Sequence, residues 1–109
     1  MKKAFRVKKN REFERIITKK KSAGNKSFVV YCDLKQLDHV RVGISVSKKL
    51  GNAVERNRIK RQVREMVKQL VDFNNCEYDL IIIVKKGFLD KDFNNNKKDL
   101  ETTIKKAII

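Results

Sequence analysis

Apolar and polar positions along the chain change period several times, and each change marks an element. Between residues 10 and 20, Phe13, Ile16 and Ile17 recur at i, i+3 and i+4 and share one face of a helix. Asn10 fits its N-cap, Glu12 and Glu14 fall in the first turn, and Lys19, Lys20 and Lys21 fall at the end, an order that complements the helix dipole. Residues 22–27, with Gly24 and Asn25, read as a loop. The period then drops to two. Residues 27–34 and 40–47 alternate as strands, and the stretch 35–39 between them suits a hairpin. Pairing Leu34 with Val40 sets Cys32 opposite Val42, Val30 opposite Ile44 and Phe28 opposite Val46, an apolar face throughout. The other face pairs Val29 with Ser45, Tyr31 with Gly43 and Asp33 with Arg41. That register offers an ion pair and a tyrosine ring left open on one side by the glycine.

Helical spacing returns after residue 51. Asn52 and Glu55 make a capping box, so a helix begins at Ala53 and runs to about Val71. Ile59, Val63, Met66, Val67 and Leu70 form its apolar stripe. Residues 73–77 read as a loop. The stretch 78–86 contains LIIIV, a continuous apolar run typical of a strand covered on both faces, and Gly87 ends it. Phe93, Leu100, Ile104, Ala107 and Ile108 then recur at helical spacing, which places a last helix over 92–108 with Asp90 or Asp92 as its cap. The order is helix, strand, strand, helix, strand, helix, in a single domain spanning 1–109. Strands 40–47 and 78–86 flank a helix as a βαβ unit and should run parallel. The predicted fold is an α/β (α+β) two-layer sandwich of a mixed sheet and about three long helices.

Charge changes the picture most. The chain has 109 residues, 28 Lys and Arg against 13 Asp and Glu, and a net charge of +15. Such a domain repels itself unless a polyanion neutralises it; nucleic acid is the first candidate and an anionic membrane surface the second. No apolar run approaches the roughly 18 residues that span a bilayer. The start, MKKAFRVKK, has no apolar stretch of signal-peptide length, which points to a cytoplasmic location. Cys32 and Cys76 lack a CxxC partner and, with His39, make no recognisable zinc site, so they read as reduced thiols and no metal ligands are assigned.

The basic residues are not spread evenly. Arg56, Arg58, Lys60, Arg61, Arg64 and Lys68 fall within one helix, opposed only by Glu55 and Glu65. Asn57, Lys60, Arg61, Arg64 and Lys68 form a stripe beside the apolar one, so burying the apolar stripe aims the basic ridge outward. The competing reading is a solvated face, but solvated faces usually mix signs at i, i+4. Lys48 and Lys49 extend the ridge at its approach. A second surface is the polar face of the sheet, bordered by the first helix. Phe13, Ile17, Val29 and Tyr31 line it, with Arg41, Ser45 and Lys49 nearby. Aromatics beside basic groups suit a single strand, because bases stack and phosphates are neutralised. The alternative for Phe13 and Ile17 is that they simply belong to the core. A protein-borne nuclease would need clustered carboxylates or a placed His, and neither is visible, so no catalytic residue is assigned. A structural RNA binder of the ribosomal-protein kind explains the charge but not the aromatic on the polar face.

The string VGISVSKKLGNAVERNRIKR, residues 42–61, resembles the bacterial ribonuclease P protein subunit, with Arg56-Asn57-Arg58 in the family's characteristic basic helix. KKNREF resembles the family's first helix, SFVVY its first long strand and YDLIIIVKK its later strand. Lys26, Ile17 and the VKKGF strand end depart from the family's usual residues. The resemblance implies the protein component of a ribonucleoprotein endonuclease that removes the 5′ leader from precursor tRNA. It implies that an RNA subunit supplies the catalytic site and binds magnesium, and that the partners are that RNA and precursor tRNA, with no membrane and no small-molecule substrate. It implies RNA-subunit contacts through Arg56, Asn57, Arg58, Lys60, Arg61 and Arg64, to which the reading of the ridge adds Lys48, Lys49 and Lys68. Leader contacts would come from Phe13, Ile17, Val29, Tyr31, Arg41, Ser45 and Lys49. It also implies a left-handed βαβ crossover, against the right-handed rule. A metal bridging the helix and the RNA stays open, since no carboxylate cluster requires one.

Overall fold

The computed structural model describes residue 6 and residues 10–18, 21–73 and 75–108. Its elements are α1 (Asn10–Thr18), β1 (Ser22–Gly24), β2 (Phe28–Leu34), β3 (Val42–Val46), α2 (Ala53–Leu70), β4 (Tyr78–Val84) and α3 (Phe93–Ile108), with 3-10 turns at Lys48–Leu50 and Lys86–Asp90. The helices and the three long strands lie where the periodicity places them. The expected end of the first helix at residues 19–20 falls outside the described residues, as do residues 1–5 and 7–9.

The expected hairpin between β2 and β3 does not form. The sheet order is β1-β2-β4-β3, so β4 lies between them, antiparallel to β2 and parallel to β3. The rows across the sheet are nonetheless those of the expected register. Cys32–Leu80–Val42, Val30–Ile82–Ile44 and Phe28–Val84–Val46 lie on one face. Tyr31–Ile81–Gly43 and Val29–Ile83–Ser45 lie on the other. Because β2 is antiparallel and β3 parallel to β4, β2 and β3 run antiparallel to each other, as a hairpin would, and keep their alternation, so side-chain pattern alone does not separate the two arrangements. Central placement is what the LIIIV run calls for, since Leu80, Ile81 and Ile82 are fully buried. The expected parallel pairing within the βαβ unit is present.

The larger core lies between the first face and the helices α2 and α3. Phe28, Val30, Leu80 and Ile82 from the sheet meet Ile59, Val63, Met66 and Val67 of α2 and Leu100 and Ile104 of α3. Phe28 packs edge-on against Phe88 at a centroid distance of 5.7 Å. Cys32 and Cys76 are free thiols; Cys32 donates to the Ala107 carbonyl at 3.2 Å, and burial pushes its thiol pKa up. On the opposite face α1 packs Ile16 against Ile81, with Phe13, Ile17, Tyr31 and Ile83 around them.

The stretch 22–27 is not all loop. Asn25 Oδ1 accepts from the backbone N–H of Ser27 (3.0 Å) and Phe28 (2.9 Å), an Asx-type turn that folds β1 back along β2. α3 clamps this turn. Asn25 Nδ2 donates to Thr103 Oγ1 at 2.8 Å, and the Ser27 hydroxyl donates to Asp99 Oδ2 at 2.8 Å. Lys91 Nζ meets the same oxygen at 2.6 Å. Asp92 caps α3 by accepting from Asn95 N at 2.9 Å, which decides between the two cap candidates.

The Lys91 ammonium, with the Ser27 hydroxyl, holds the Asp99 carboxyl below its ordinary pKa. A carboxyl depressed in the folded state stabilises above its unfolded pKa of about 4 and loses that contribution as pH falls through the folded value. Asp99→Asn is therefore expected to lower unfolding free energy at pH 7 by about 1 kcal/mol, the scale of a charged hydrogen bond in a partly exposed site. Urea titrations at pH 7 and pH 3 check this: the gap between wild type and variant should narrow at the lower pH.

Candidate nucleic-acid interface

The basic ridge is held by the local geometry of the chain before and along α2. Ser47 Oγ accepts from Lys49 N at 3.2 Å and opens the 3-10 turn that presents Lys48 and Lys49 to solvent. Gly51 follows with φ of 149°, where an added Cβ would fall 2.9 Å from Glu55 Cβ; only glycine makes this bend without strain. The capping box forms as expected. Asn52 Oδ1 accepts from Glu55 N at 2.9 Å, and Glu55 Oε1 accepts from Asn52 N at 3.3 Å. The helix start is thus fixed, and burial of Ile59, Val63, Met66 and Val67 fixes its rotation. Asn57, Arg58, Arg61 and Lys68 are exposed; Arg56, Lys60 and Arg64 are half-buried at the edge of the stripe.

What neutralises this ridge decides between a solvated face and a binding face. Glu55 is occupied in the cap, and Glu65 Oε1 accepts from Gln69 Nε2 at 3.2 Å. Among the described residues, no ion pair engages Arg56, Arg58, Lys60, Arg61, Arg64 or Lys68. Arg6, brought alongside by a parallel bridge to Val42, adds a further cation. Burial, then the charges of Arg6 and Arg61, push the Arg64 guanidinium below its ordinary pKa, though it stays charged. The buried Arg56 Nε has no hydrogen-bond partner. Like charges crowded on a rigid helix without counter-charge favour an external polyanion.

The second surface is partly as expected. Phe13, Ile17, Tyr31 and Val29 all lie half-buried on the face that α1 crosses; Ser45 is exposed at the β3 end of the Val29 row, and Lys49 is exposed in the 3-10 turn that follows β3. Gly43 corrects the reading of Tyr31. The strand partner of Tyr31 is Ile81, and the space over Gly43 is filled by Phe13: an added Cβ would lie 2.7 Å from Phe13 Cζ and 2.7 Å from Ile81 Cδ1. Phe13 is therefore both a wall of the surface and a packing element, as is Ile17. Arg41 does not pair with Asp33 across a hairpin. It sits at the other end of the face from Ser45, its backbone N donating to Asp79 Oδ1 at 2.9 Å and its Nη2 3.9 Å from Asp79 Oδ2.

Asp33 is taken instead by Arg15, whose Nη1 is 2.7 Å from Asp33 Oδ2 while Nη2 is 2.9 Å from Asp79 Oδ2. Periodicity missed Arg15, Asp79, Ile81 and Ile83 at this face. The available signal was an Asp opening an otherwise apolar strand, since a carboxylate entering a buried run needs a cation. Among the described residues, no group of three or more His, Cys, Asp or Glu could hold a metal ion, and no helix is long and apolar enough to cross a membrane.

Comparison with known proteins gives a consistent result. A family model described as Ribonuclease P matches residues 1–108. The ribonuclease P protein component of Listeria welshimeri is 48% identical over 107 residues, covering 96% of this chain and 89% of the relative. Among solved structures, a Staphylococcus aureus RNase P protein, a mutant with defective mRNA degradation activity, superposes with a TM-score of 0.87 at 44% identity, covering 97% of this chain and 90% of that one. The RNase P protein from Thermotoga maritima gives 0.75 at 32% identity, covering 89% and 92%.

The Phe13–Gly43 contact yields a test independent of any ligand. Gly43→Val puts branched carbon where the Phe13 ring and Ile81 already lie. It is expected to destabilise the domain by about 1–3 kcal/mol, the usual cost of overpacking, measured by urea unfolding. Gly43→Val combined with Phe13→Ala should be less destabilising than the sum of the two single changes, because the truncated ring vacates part of the space.

Proposed function

Because this chain belongs to the ribonuclease P protein family, we propose that it binds a catalytic RNA subunit through the α2 ridge and the 5′ leader of precursor tRNA through the sheet face beneath α1. In this reading it supports endonucleolytic removal of the leader, in the cytoplasm, while the RNA carries the catalytic site. The observation that carries the first half is the ridge without counter-charge: Arg56, Arg58, Lys60, Arg61, Arg64 and Lys68 project from a capped, packed helix whose two carboxylates are engaged elsewhere. Arg forks match phosphate oxygens in pairs, and Lys48, Lys49, Lys60 and Lys68 add point charge. Asn57 can donate and accept toward a sugar hydroxyl or base edge. Fixed spacing along a helix selects folded RNA by shape.

The second half is supported by the half-buried Phe13, Ile17, Val29 and Tyr31 next to exposed Ser45 and Lys49. A narrow strip of ring and aliphatic surface with a lysine at its end suits an unpaired strand. Arg41 is the weakest member of this set, being drawn toward buried Asp79. Magnesium belongs with the RNA in this proposal. Glu55 and Glu65, the carboxylates of α2, are committed to Asn52 and Gln69, so this chain offers no ready-made site for the ion there.

Reconstitution with the cognate RNA subunit and magnesium tests the division of labour: cleavage at the mature 5′ end should require both components. Arg56→Ala, Arg61→Ala and Arg64→Ala are each expected to weaken RNA-subunit binding by about 1–2 kcal/mol, in line with charged hydrogen bonds. Binding should also fall steeply with salt, roughly as the number of phosphates neutralised. Wild-type affinity in all three variants at moderate salt would return the ridge to a solvated face.

Tyr31→Ala is expected to weaken holoenzyme binding of precursors with long leaders by about 1–3 kcal/mol, the range for stacking on an aromatic. Binding of precursors with minimal leaders, and affinity for the RNA subunit, should stay near wild type. Equal losses on long and minimal leaders would assign Tyr31 to packing alone.

A further inference from the structure

Asp33 and Asp79 are direct partners in the antiparallel ladder of β2 and β4. Like charges placed opposite one another on a sheet oppose its formation. Asp79 is also fully buried, and a buried carboxylate must be paired. One side chain from a different element reaches both carboxylates, while Arg41 Nη2 lies 3.9 Å from Asp79 alone. The Arg15 guanidinium of α1 spans the two, at 2.7 Å to Asp33 and 2.9 Å to Asp79, and is itself only 20% exposed. The Arg41 backbone N–H supplies a further bond to Asp79.

This bridge acts on α1 in a way that its apolar contacts do not. Ile16 against Ile81 and Phe13 over Gly43 are packing contacts, which favour burial without fixing direction. A planar fork shared between two carboxylates on neighbouring strands has one geometry. Together the fork at the Asp33–Asp79 row and the ring at Gly43 fix α1 along the sheet at two points. Phe13 and Ile17, which α1 contributes to the second surface, are placed by that arrangement.

We propose that Arg15, bridging the opposed Asp33–Asp79 pair, is a positioning residue that sets the placement of α1 along the sheet and so the fit of the surface to the single-stranded leader. This inference rests on the reading of that surface as the leader site. Arg15 touches no RNA in it; it acts through Phe13 and Ile17.

Two mild variants test it in the reconstituted holoenzyme. Asp33→Asn removes one charge of the pair and leaves the buried Arg15–Asp79 contact in place. Arg15→Lys keeps the charge but cannot span both carboxylates. Each is expected to raise KM for a long-leader precursor by about threefold to tenfold, the net scale of one ordinary hydrogen bond, since the bridge acts on the leader only through α1. The values of kcat, KM for a minimal-leader precursor and RNA-subunit affinity should not change. In the same variants, amide hydrogen exchange should accelerate in α1 and stay unchanged in α2. A KM unchanged on both substrates, a KM raised equally on both, or α1 amides as protected as in wild type would each overturn the proposal. Tyr31→Ala, run in parallel, separates the two readings. If it discriminates by leader length and the bridge variants do not, the positioning role fails alone; if no variant discriminates, the leader site fails and the positioning role with it.

Discussion

Strand β4 is hydrogen-bonded along both edges, and that double ladder fixes the position of nearly everything else. Its antiparallel edge holds β2, which carries Tyr31 and Val29, and its parallel edge holds β3, which leads into the 3-10 turn and α2. A strand in this position is covered on both faces over most of its length, with Ile83 half-buried on the second surface. One side meets the α2–α3 core through Leu80 and Ile82, and the other meets α1 through Ile81. The ridge, reached through β3, and the second surface, which draws on both edges, therefore lie on opposite faces of the sheet that this strand centres.

The fold was legible in the chain to the extent that side-chain periodicity encodes it. Ile59, Val63, Met66 and Val67 are buried as their spacing requires, and Asn52 and Glu55 cap the helix they precede. Strand adjacency was the part that periodicity does not encode. The rows Cys32–Val42 and Val30–Ile44 exist, but with Leu80 and Ile82 between them. The connection between β2 and β3 is long enough for either arrangement: about seven residues reach over 20 Å, while two strand spacings are roughly 10 Å. The cue that favoured the insertion was the apolar density of residues 80–84, which only a central strand can bury on both sides.

The two candidate surfaces differed in legibility for a related reason. A ridge on a single helix is a local property, so spacing within residues 56–68 was sufficient. The second surface is assembled from α1, β2, β4 and β3, and its details depend on which strand is central. Alternation puts Tyr31 on the correct face, but its neighbour there is Ile81 and not Gly43. Gly43 makes room for Phe13 rather than leaving Tyr31 open. Arg15 could not be read as a bridge at all until Asp33 and Asp79 became partners.

The same accounting explains how a domain with a net charge of +15 folds at all. Its carboxylates are few, and those that matter for the fold are committed to partners within it. Asp79 and Asp33 hold α1, Asp99 holds the turn between β1 and β2 against α3, and Glu55 caps α2. None of these is spent on the ridge. Separating the signs in this way makes the two kinds of interaction respond differently to solution conditions. Exposed cations such as Arg58 and Arg61 are screened within a Debye length of about 8 Å at physiological ionic strength, whereas the Arg15–Asp79 contact is shielded from solvent ions by burial. Salt that screens the ridge thus leaves the α1 bridge in place, so the arrangement of α1 on the sheet does not depend on how the ridge is neutralised.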